Sequence, residues 1–384
     1  MVSPFRFYLI LITLLVYIIL SYLIRKRGES KGRMWMFSLP LVLLVYFSTS
    51  NIITFYIIIE FSLLPIIIVV LRVGSYPERY QAVLYFFLYT AVRSFPVLII
   101  IMWYRNSLGT TSVIFIQFAD FKRFLIPILF IGFIVKLPLY GLHSWLPKAH
   151  VQAPVHGSIL LAGVILKLGG YGLYFLLPLV VWEKRRFIML LLVMFRLWGG
   201  VLSIMYCIRL RDIKVIIAYS SVGHISLVLP VLLVNNRLRI FTAVVIIVGH
   251  GFSSPLMFYM ADKYYRISNT RNLTYNRGIT KILPLLYWFF VLSLVLNIAF
   301  PPTINFFGEL FARMSLVTLK PLNILFIFIM VLVGGRFNVY LIIQLKKRTS
   351  IRWLNASTRL IINNICIIIS LTLLIYIIIT VIHL

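Results

Sequence analysis

The fold of this chain is decided by residues 132–172, GFIVKLPLYGLHSWLPKAHVQAPVHGSILLAGVILKLGGYG. Two apolar runs in this stretch each contain one lysine, Lys136 or Lys167, and a polar connector joins the runs. A lysine at the centre of a bilayer costs roughly 2.5–3.5 kcal/mol, so its presence there calls for an explanation. Each lysine stands two residues before a helix breaker, Pro138 or Gly169. The pattern therefore predicts interrupted helices that carry titratable groups at the interruptions.

Composition places the chain among polytopic membrane proteins. Of its 384 residues 62% are hydrophobic and 12% are charged, and the mean hydropathy is +1.04, whereas soluble proteins carry about 25% charged residues. Continuous apolar runs of ~20 residues predict an all-α transmembrane bundle rather than a barrel. We expect one integral membrane domain over residues 1–384 with about twelve spans. They lie near 4–24, 35–49, 52–71, 80–104, 124–142, 155–182, 187–208, 213–234, 240–261, 282–319, 322–345 and 360–383.

The apolar run 282–319 is too long for a single straight crossing. As one helix it would be almost twice as long as the ~30 Å hydrocarbon core of a bilayer. Pro301-Pro302 interrupts this run, as Pro138 interrupts the run 124–142. Both positions predict discontinuous helices, whose freed backbone groups must be buried in protein or line a polar cavity.

The charge of the chain is strongly positive, with 37 Lys+Arg against 8 Asp+Glu and a formal net charge of +29. The basic residues lie mostly between apolar runs, where they bind anionic lipids such as cardiolipin and set topology. Nucleic acid is therefore not an expected partner. The odd-numbered loops hold most of these residues, so the positive-inside rule predicts that both termini face the opposite side, the intermembrane space in a mitochondrion.

Six ionisable groups within the spans share one context, and we predict that they transfer protons. Each is surrounded by apolar sequence and has a proline or glycine within five residues: Glu60, Lys136, Lys167, His224, His250 and Glu309. Desolvation makes lysine a weaker and carboxylate a stronger base, and histidine titrates near neutrality, so such groups can pass protons through water in steps. The alternative is that they are ion pairs or hydrogen-bonded core residues.

Other motifs carry less information. The spacing of His143, His150 and His156 matches no compact metal-ligand motif, so a packed connector is the simpler interpretation. Residues 169–172, GGYG, continue a long helix and do not form a potassium filter. We expect no ATP or dinucleotide site, because the sequence has neither a Walker loop nor a G-x-G-x-x-G motif. The two isolated cysteines predict neither a disulfide framework nor a metal site.

Five segments resemble the signature of the subunit 4 family of NADH:ubiquinone oxidoreductase, respiratory complex I. They are KLPLYGLHSWLPKAHVQAP at 136–154, LKLGGYG at 166–172, DIKVIIAYSSVGH at 212–224, GHG at 249–251 and PPTINFFGE at 301–309. The resemblance runs from about residue 40 to 345 and is closest to mitochondrial members. It implies an antiporter-like membrane-arm subunit that takes part in proton translocation driven by electron transfer from NADH to ubiquinone.

The resemblance also assigns roles to the six groups. It implies that Glu60 and Lys136 form a glutamate–lysine pair and that Lys167 is the lysine of a central axis. His224 and His250 match histidines on that axis, and Glu309 matches the terminal acid on the broken helix. No cofactor is expected in this chain, because NADH, FMN, iron–sulfur clusters and ubiquinone belong to other subunits of such a complex.

Two other functions remain open at this point. One is a free-standing cation/proton antiporter of the related multi-subunit type, and the other is a structural spacer between neighbouring membrane-arm subunits. The close match of residues 136–172 favours the respiratory assembly as partner, and the retention of all six ionisable groups disfavours the spacer.

The chain departs from the family pattern in two respects. Family members usually have fourteen spans, and the deficit here lies before Glu60. In addition, arginines occur inside spans at Arg93, Arg196, Arg313 and Arg336. These are costly in a membrane unless paired. They snorkel to the membrane interface, contact a partner or cardiolipin, or arise from AGA/AGG codons that some mitochondrial codes read as serine.

Overall fold

The computed structural model describes eight segments: residues 4–27, 33–74, 77–108, 132–177, 186–234, 238–278, 283–319 and 322–347. Throughout these segments the regular elements are helices, so the predicted all-α class is confirmed. The chain divides into two compact units, Met1–Arg196 and Leu197–Leu384. The predicted span 360–383 and residues 124–131 of another span lie outside the described residues.

The first unit contains nine described helices and one further short helical segment at residues 132–136. They are α1 (Pro4–Arg27), α2 (Arg33–Ser48), α3 (Ile52–Phe61), α4 (Leu63–Val73), α5 (Arg79–Phe87), α6 (Arg93–Leu108), α7 (Trp145–Gln152), α8 (Val155–Leu160) and α9 (Leu166–Leu176). Two π-helical turns, Leu88–Val92 and Leu161–Ile165, connect α5 to α6 and α8 to α9. Such turns interrupt regular helix geometry and are frequent at functional sites.

Aromatic side chains form the core of this unit around Tyr171 on α9. Its ring centroid lies 5.6 Å from Phe5 on α1, 5.6 Å from Tyr46 on α2 and 5.9 Å from Phe55 on α3. Aromatic rings in contact at such distances contribute more than their buried area alone. The cluster therefore fixes α9, the helix that carries Lys167, against the first three helices.

The second unit is built from the helices that follow. The element α10 (Arg186–Arg209) leads into it, and α11 (Ile213–Ile225), α12 (Val228–Leu233), α13 (Arg239–Ser268), α14 (Pro284–Ile298), α15 (Ile304–Val317) and α16 (Leu322–Lys346) complete it. The helix α13 is central, because it packs against α11, α12, α14 and α15. The break between α14 and α15 contains Pro301-Pro302, as the sequence predicts.

Within the described residues eight helical segments are long and apolar enough to cross a membrane, and two shorter apolar helices, Met34–Ser48 and Pro284–Ile298, accompany them. This count is roughly consistent with about twelve spans. The spans differ in burial: 94% of the residues in the most apolar part of Val155–Leu176 are buried, against 28% in Asn323–Lys346. The segment that carries Lys167 is thus enclosed by protein, and the last described span presents most of its surface outward.

One boundary differs from the sequence prediction. The sequence predicts a span that ends at residue 261, but α13 continues to Ser268. Arg266 pairs with Asp262 one helical turn earlier, with Nε 2.9 Å from Oδ2. The helix ends where Asn269 adopts a left-handed conformation with φ of 53°. Burial of residues 262–264 together with this pair extends the helix beyond the apolar run.

Candidate functional site

Glu60 and Lys136 form a direct ion pair in the first unit. The Nζ atom of Lys136 donates to Oε1 of Glu60 at 2.6 Å, and the side chains are 5% and 21% exposed respectively. Glu60 lies at the end of α3, and Lys136 is the last helical residue before Pro138. The ends of two helices therefore bring two opposite charges together in a mostly buried environment.

The backbone at the Lys136 break is held by two long side chains. A proline cannot continue a helix, so carbonyl groups before Pro138 lose their usual donors. The indole Nε1 of Trp145 donates to the Val135 carbonyl at 3.2 Å. The guanidinium of Arg196 donates through Nη1 to the Leu137 carbonyl at 3.1 Å. These bonds keep the interrupted segment ordered within the core.

Lys167 is enclosed beside a π-helical turn. Its side chain is 2% exposed, and its ammonium donates to the carbonyl of Ala162 within the turn Leu161–Ile165. Among the described residues no carboxylate forms an ion pair with it. A buried cation without an acidic partner does not stabilise a fold well. Its retention therefore favours a role in which the lysine changes its protonation state.

Three of the predicted residues meet in the second unit. His224 at the end of α11 has its Nδ1 2.9 Å from Oε1 of Glu309 on α15. The His224 ring stacks on the ring of His250 on α13 at a centroid distance of 5.8 Å. The Glu309 carboxyl also accepts from Nη2 of Arg313 at 3.2 Å. This cluster, His224, His250, Glu309 and Arg313, is hereafter called the histidine–glutamate cluster.

A small cavity adjoins this cluster. It offers about 30 Å³ to the centres of water molecules, and its walls include His224, Glu309, Arg313 and Asn338. A space of that size has room for about two water molecules, which the polar side chains in its otherwise apolar wall could bind. The carboxyl group of Glu309 is therefore mostly buried, at 12% side-chain exposure, and adjacent to a space that can be hydrated. This combination is what a group that exchanges protons requires.

Glycines allow α13 and α15 to approach closely at the cluster. A Cβ atom at Gly308 would lie 3.1 Å from the backbone nitrogen of Ile246, and one at Gly249 would collide with the side chain of Asn305. Asn305 in turn donates to the Leu296 carbonyl at 2.8 Å, at the end of α14. The side-chain amide of Asn305 thus provides a donor for a carbonyl that lacks one because α14 ends there, close to Glu309.

The three histidines of the connector are not brought together as a metal site. Among the described residues no group of three His, Cys, Asp or Glu side chains could hold a metal ion. His143 stacks on Tyr140, accepts from the Gly141 backbone N–H through Nδ1 at 3.1 Å, and has a pKa lowered by burial. His150 and His156 are fully buried, as expected for a packed connector.

The structure gives three of the four unexpected arginines a partner. Arg196 binds the Leu137 carbonyl, Arg313 pairs with Glu309, and the Cζ of Arg93 lies 4.8 Å from the ring centroid of Tyr89. Arg336 is exposed on α16. Sequence reasoning missed the roles of Arg196 and Arg313. The four-residue spacing between Glu309 and Arg313 is a signal that could have revealed the second.

Comparison with known sequences agrees with these motifs. Residues 49–334 match the family described as NADH:quinone oxidoreductase/Mrp antiporter, transmembrane. NADH-ubiquinone oxidoreductase chain 4 of Albinaria caerulea is 33% identical over 308 residues, which cover 79% of this chain and 70% of that protein. Chain 4 of Branchiostoma lanceolatum is 38% identical over 305 residues, covering 78% and 67%.

Comparison with solved structures shows the same fold at low sequence identity. A chain of respiratory complex I from Thermus thermophilus has a TM-score of 0.85 at 18% identity, covering 97% of this chain and 79% of that one. A chain of an Mrp complex from a Dietzia species has a TM-score of 0.79 at 15% identity, covering 89% and 65%. The fold is thus shared by a respiratory assembly and an antiporter assembly.

Proposed function

Because the chain belongs to the family of NADH:quinone oxidoreductase and Mrp antiporter membrane subunits, we propose that it is a membrane-arm subunit of mitochondrial NADH:ubiquinone oxidoreductase. Its relatives at 33–38% identity are named chain 4 of that enzyme. In this assembly the chain takes part in proton translocation coupled to electron transfer from NADH to ubiquinone. It is a multi-pass protein of the inner membrane.

The single observation that carries a proton-transfer role is the buried pair of Glu60 and Lys136 at a helix break, 2.6 Å apart. When the lysine is charged, it favours the ionised form of the glutamate, and neutralising either partner changes the proton affinity of the other. Such a pair can therefore link the arrival of a proton at one group to its loss from the other. Each member has the chemistry of a proton carrier rather than of a redox centre.

The remaining groups act as further proton carriers in this proposal. Lys167 accepts and releases a proton at Nζ inside the enclosed span Val155–Leu176. In the histidine–glutamate cluster, His224 contacts the carboxyl of Glu309 and His250 stacks on His224. Glu309 exchanges protons with water in the adjoining cavity. Burial, helix interruption and hydrogen-bond contact support these roles.

Redox chemistry is assigned to other subunits. The six ionisable groups of this chain offer proton exchange, and NADH, FMN, iron–sulfur clusters and ubiquinone would be bound elsewhere in the assembled complex. The partners are the neighbouring antiporter-like subunits of the membrane arm. Exposed apolar side chains on the least-buried spans, such as Asn323–Lys346, supply surface for these subunits or for lipid.

The basic loops support the proposed orientation and lipid contacts. At one end of the second unit the Leu273 N–H donates to the Arg211 carbonyl, and the Gly278 N–H donates to the Leu345 carbonyl. These two hydrogen bonds join odd-numbered loops of the predicted topology. Arg209, Lys346 and Lys347 are exposed at the same end. The arrangement supports a common, matrix-facing side for these loops, contact with anionic lipid such as cardiolipin, and termini on the intermembrane-space side.

A free-standing cation/proton antiporter is the second candidate, because the Mrp chain shares the fold. One purification separates the two. The chain is tagged, extracted in mild detergent and isolated, and the preparation is assayed for NADH:ubiquinone oxidoreductase activity and, after reconstitution, for NADH-driven proton uptake. We expect both activities with the tagged chain. Isolation without NADH oxidation, together with cation-driven proton exchange in vesicles, would instead establish the antiporter.

A further inference from the structure

Arg313 is a second charged partner of Glu309, and the family resemblance assigns it no role. Its Nη2 lies 3.2 Å from Oε2 of Glu309, while Oε1 of the same carboxyl lies 2.9 Å from Nδ1 of His224. Both carboxylate oxygens are therefore engaged. A guanidinium in contact with a carboxylate favours the ionised form of that carboxylate.

The cavity beside this pair contains a second acceptor that fits the guanidinium. Asn338 on α16 is 1% exposed, and its Nδ2 donates to the Gly334 carbonyl at 2.9 Å. Within the part of the chain that the structure describes, its Oδ1 is buried without a hydrogen-bond partner, and so is Nε of Arg313. Both residues line the cavity together with Glu309. Since an unpaired buried donor and an unpaired buried acceptor are each costly, a bond between them would be favourable.

The wall of the cavity leaves space for the guanidinium to move. Gly334 and Gly335 lie on α16 within the turn that precedes Asn338, and both line the cavity. A Cβ atom added at either glycine would meet no other heavy atom within 4 Å. The side chain of Arg313 is 35% exposed, so it is not clamped by packing on all sides. A change of rotamer is therefore sterically open to it.

We propose that Arg313 is a positioning residue that controls when Glu309 binds a proton, and that its guanidinium alternates between Oε2 of Glu309 and Oδ1 of Asn338. This inference rests on the proposed function, because it concerns the proton exchange of Glu309. On the carboxylate, Arg313 keeps Glu309 ionised. On Asn338, it leaves the carboxylate free to accept a proton.

One passage moves a single proton from protonated His224 through Glu309 to water, and His224 takes up a new proton before the next passage. When Arg313 is on Asn338, the Nδ1–H of protonated His224 transfers its proton to Oε1 of Glu309, which leaves a neutral imidazole and a carboxylic acid. When Arg313 returns, the acid loses this proton to water in the cavity and becomes a carboxylate again. The movement of the guanidinium thus separates proton uptake by Glu309 from proton release.

Few other charges can set the protonation of Glu309. His224 on α11 contacts it, and His250 on α13 stacks on His224. Of the other described helices packed against α15, α12 and α14 carry no Asp, Glu, Lys, Arg or His. On α13, Asp262 is paired with Arg266, and the basic residues Arg239 and Lys263 lie towards the two ends of the helix. On α16 the nearest basic residue in sequence to Asn338 is the exposed Arg336, which does not line the cavity.

The test uses the assembled complex in proteoliposomes, with NADH-driven proton uptake measured as a function of pH. Arg313→Gln removes the charge, and we expect the profile to shift towards higher pH by about one unit. Asn338→Leu removes the alternative hydrogen-bond acceptor of the guanidinium, and we expect the profile to shift towards lower pH. Arg313→Lys should restore a profile close to that of the unmodified chain. Arg336→Gln, a charge removed from the same membrane region, serves as the control and should leave the profile unchanged.

Opposite shifts in the first two variants, absent in a Glu309→Gln background, would support the proposal. Equal shifts, or none, would overturn it, as would a peptide mass showing serine at position 313. The proposed function fails separately: it is contradicted when Glu309→Gln pumps protons normally. Loss of pumping in Glu309→Gln together with unshifted Arg313 variants would remove only the role of Arg313.

Discussion

The two units solve the same problem, a carboxylate inside a membrane protein, in different ways. In the first unit Glu60 is paired directly with Lys136 at 2.6 Å. In the second unit Glu309 shares its carboxylate between a histidine and an arginine and borders a cavity with room for water. Both acids lie beside interrupted helices. One site is therefore a compact charge pair, and the other is a network that can be rearranged.

The difference indicates a division of labour. A buried lysine–glutamate pair changes proton affinity when either charge is lost, so it suits a step in which two sites are linked. A carboxyl beside a hydratable cavity suits exchange with water, because a proton can leave it without crossing apolar packing. We therefore expect mutations in the first unit to affect coupling most, and mutations in the second to affect the pH dependence of proton exchange.

The largest effect is expected from the Glu60–Lys136 pair. We predict that Glu60→Gln and Lys136→Ala each lower NADH-driven proton uptake by at least about tenfold, because each removes a proton carrier. The double variant should be little worse than either single variant, since residues that act as a unit are not additive. Proton uptake in vesicles measures this, with intact assembly checked by native electrophoresis. Additive losses would mean that the two residues act independently.

Glu309→Gln should have the next largest effect. We expect proton uptake to fall about three- to tenfold, because water in the cavity and the histidines retain part of the pathway. Proton uptake of Glu309→Gln and Glu60→Gln, measured in parallel, shows which of the two sites contributes more to pumping. A larger loss at Glu309 than at Glu60 would reverse the division of labour described above.

A smaller effect is expected from the packing that holds the first site. A Cβ at Gly169 would lie 2.8 Å from the backbone nitrogen of Leu137, next to Lys136. We predict that Gly169→Ala displaces this segment, lowers stability by about 1–3 kcal/mol and reduces pumping about twofold to threefold. Thermal unfolding in detergent and proton uptake measure the two consequences. Gly157→Ala is the matched control, because its Cβ would meet side-chain atoms at 3.3 Å and should be tolerated better.

The smallest effect concerns His143 in the connector. Burial lowers its pKa, and its Nδ1 accepts from the Gly141 N–H, so the folded protein holds the neutral imidazole. The unfolded chain binds the proton more readily, and stability should therefore decrease as pH falls below about 6.5. The loss should be under about 1 kcal/mol. Comparing unfolding temperatures of the unmodified chain and His143→Gln across this range checks it: the variant should lose that part of the pH dependence.

Much of the fold follows from the sequence because apolar runs, prolines and glycines are local signals. The break at Pro138 and the break at Pro301-Pro302 were both predicted, and both occur. The π-helical turn Leu161–Ile165 was not predicted. No proline marks it, and such turns depend on tertiary packing that a hydropathy pattern does not record. The continuation of α13 to Ser268 was missed because burial and the Asp262–Arg266 pair, rather than hydropathy, extend that helix.

The candidate site was predictable as a set of residues but not as a geometry. Polar side chains inside apolar runs identify Glu60, Lys136 and Lys167 directly. The contact between Lys167 and the Ala162 carbonyl, and the bond from Arg196 to Leu137, depend on helix register and rotation. From the sequence, Arg313 is only a costly arginine inside a span, because a hydropathy scale scores each residue separately from its neighbours. Its pairing with Glu309 becomes visible only when the helical spacing of charges is considered.

The measurement that tests the central claim most directly is the ratio of protons translocated to NADH oxidised for Lys167→Met in vesicles. Methionine fills similar space without charge, so a purely structural lysine predicts an unchanged or more stable complex with a normal ratio. A proton carrier predicts a folded complex whose ratio is clearly reduced, while Lys148→Met, which alters an exposed lysine of the connector, retains the normal ratio. A normal ratio in Lys167→Met would contradict the account.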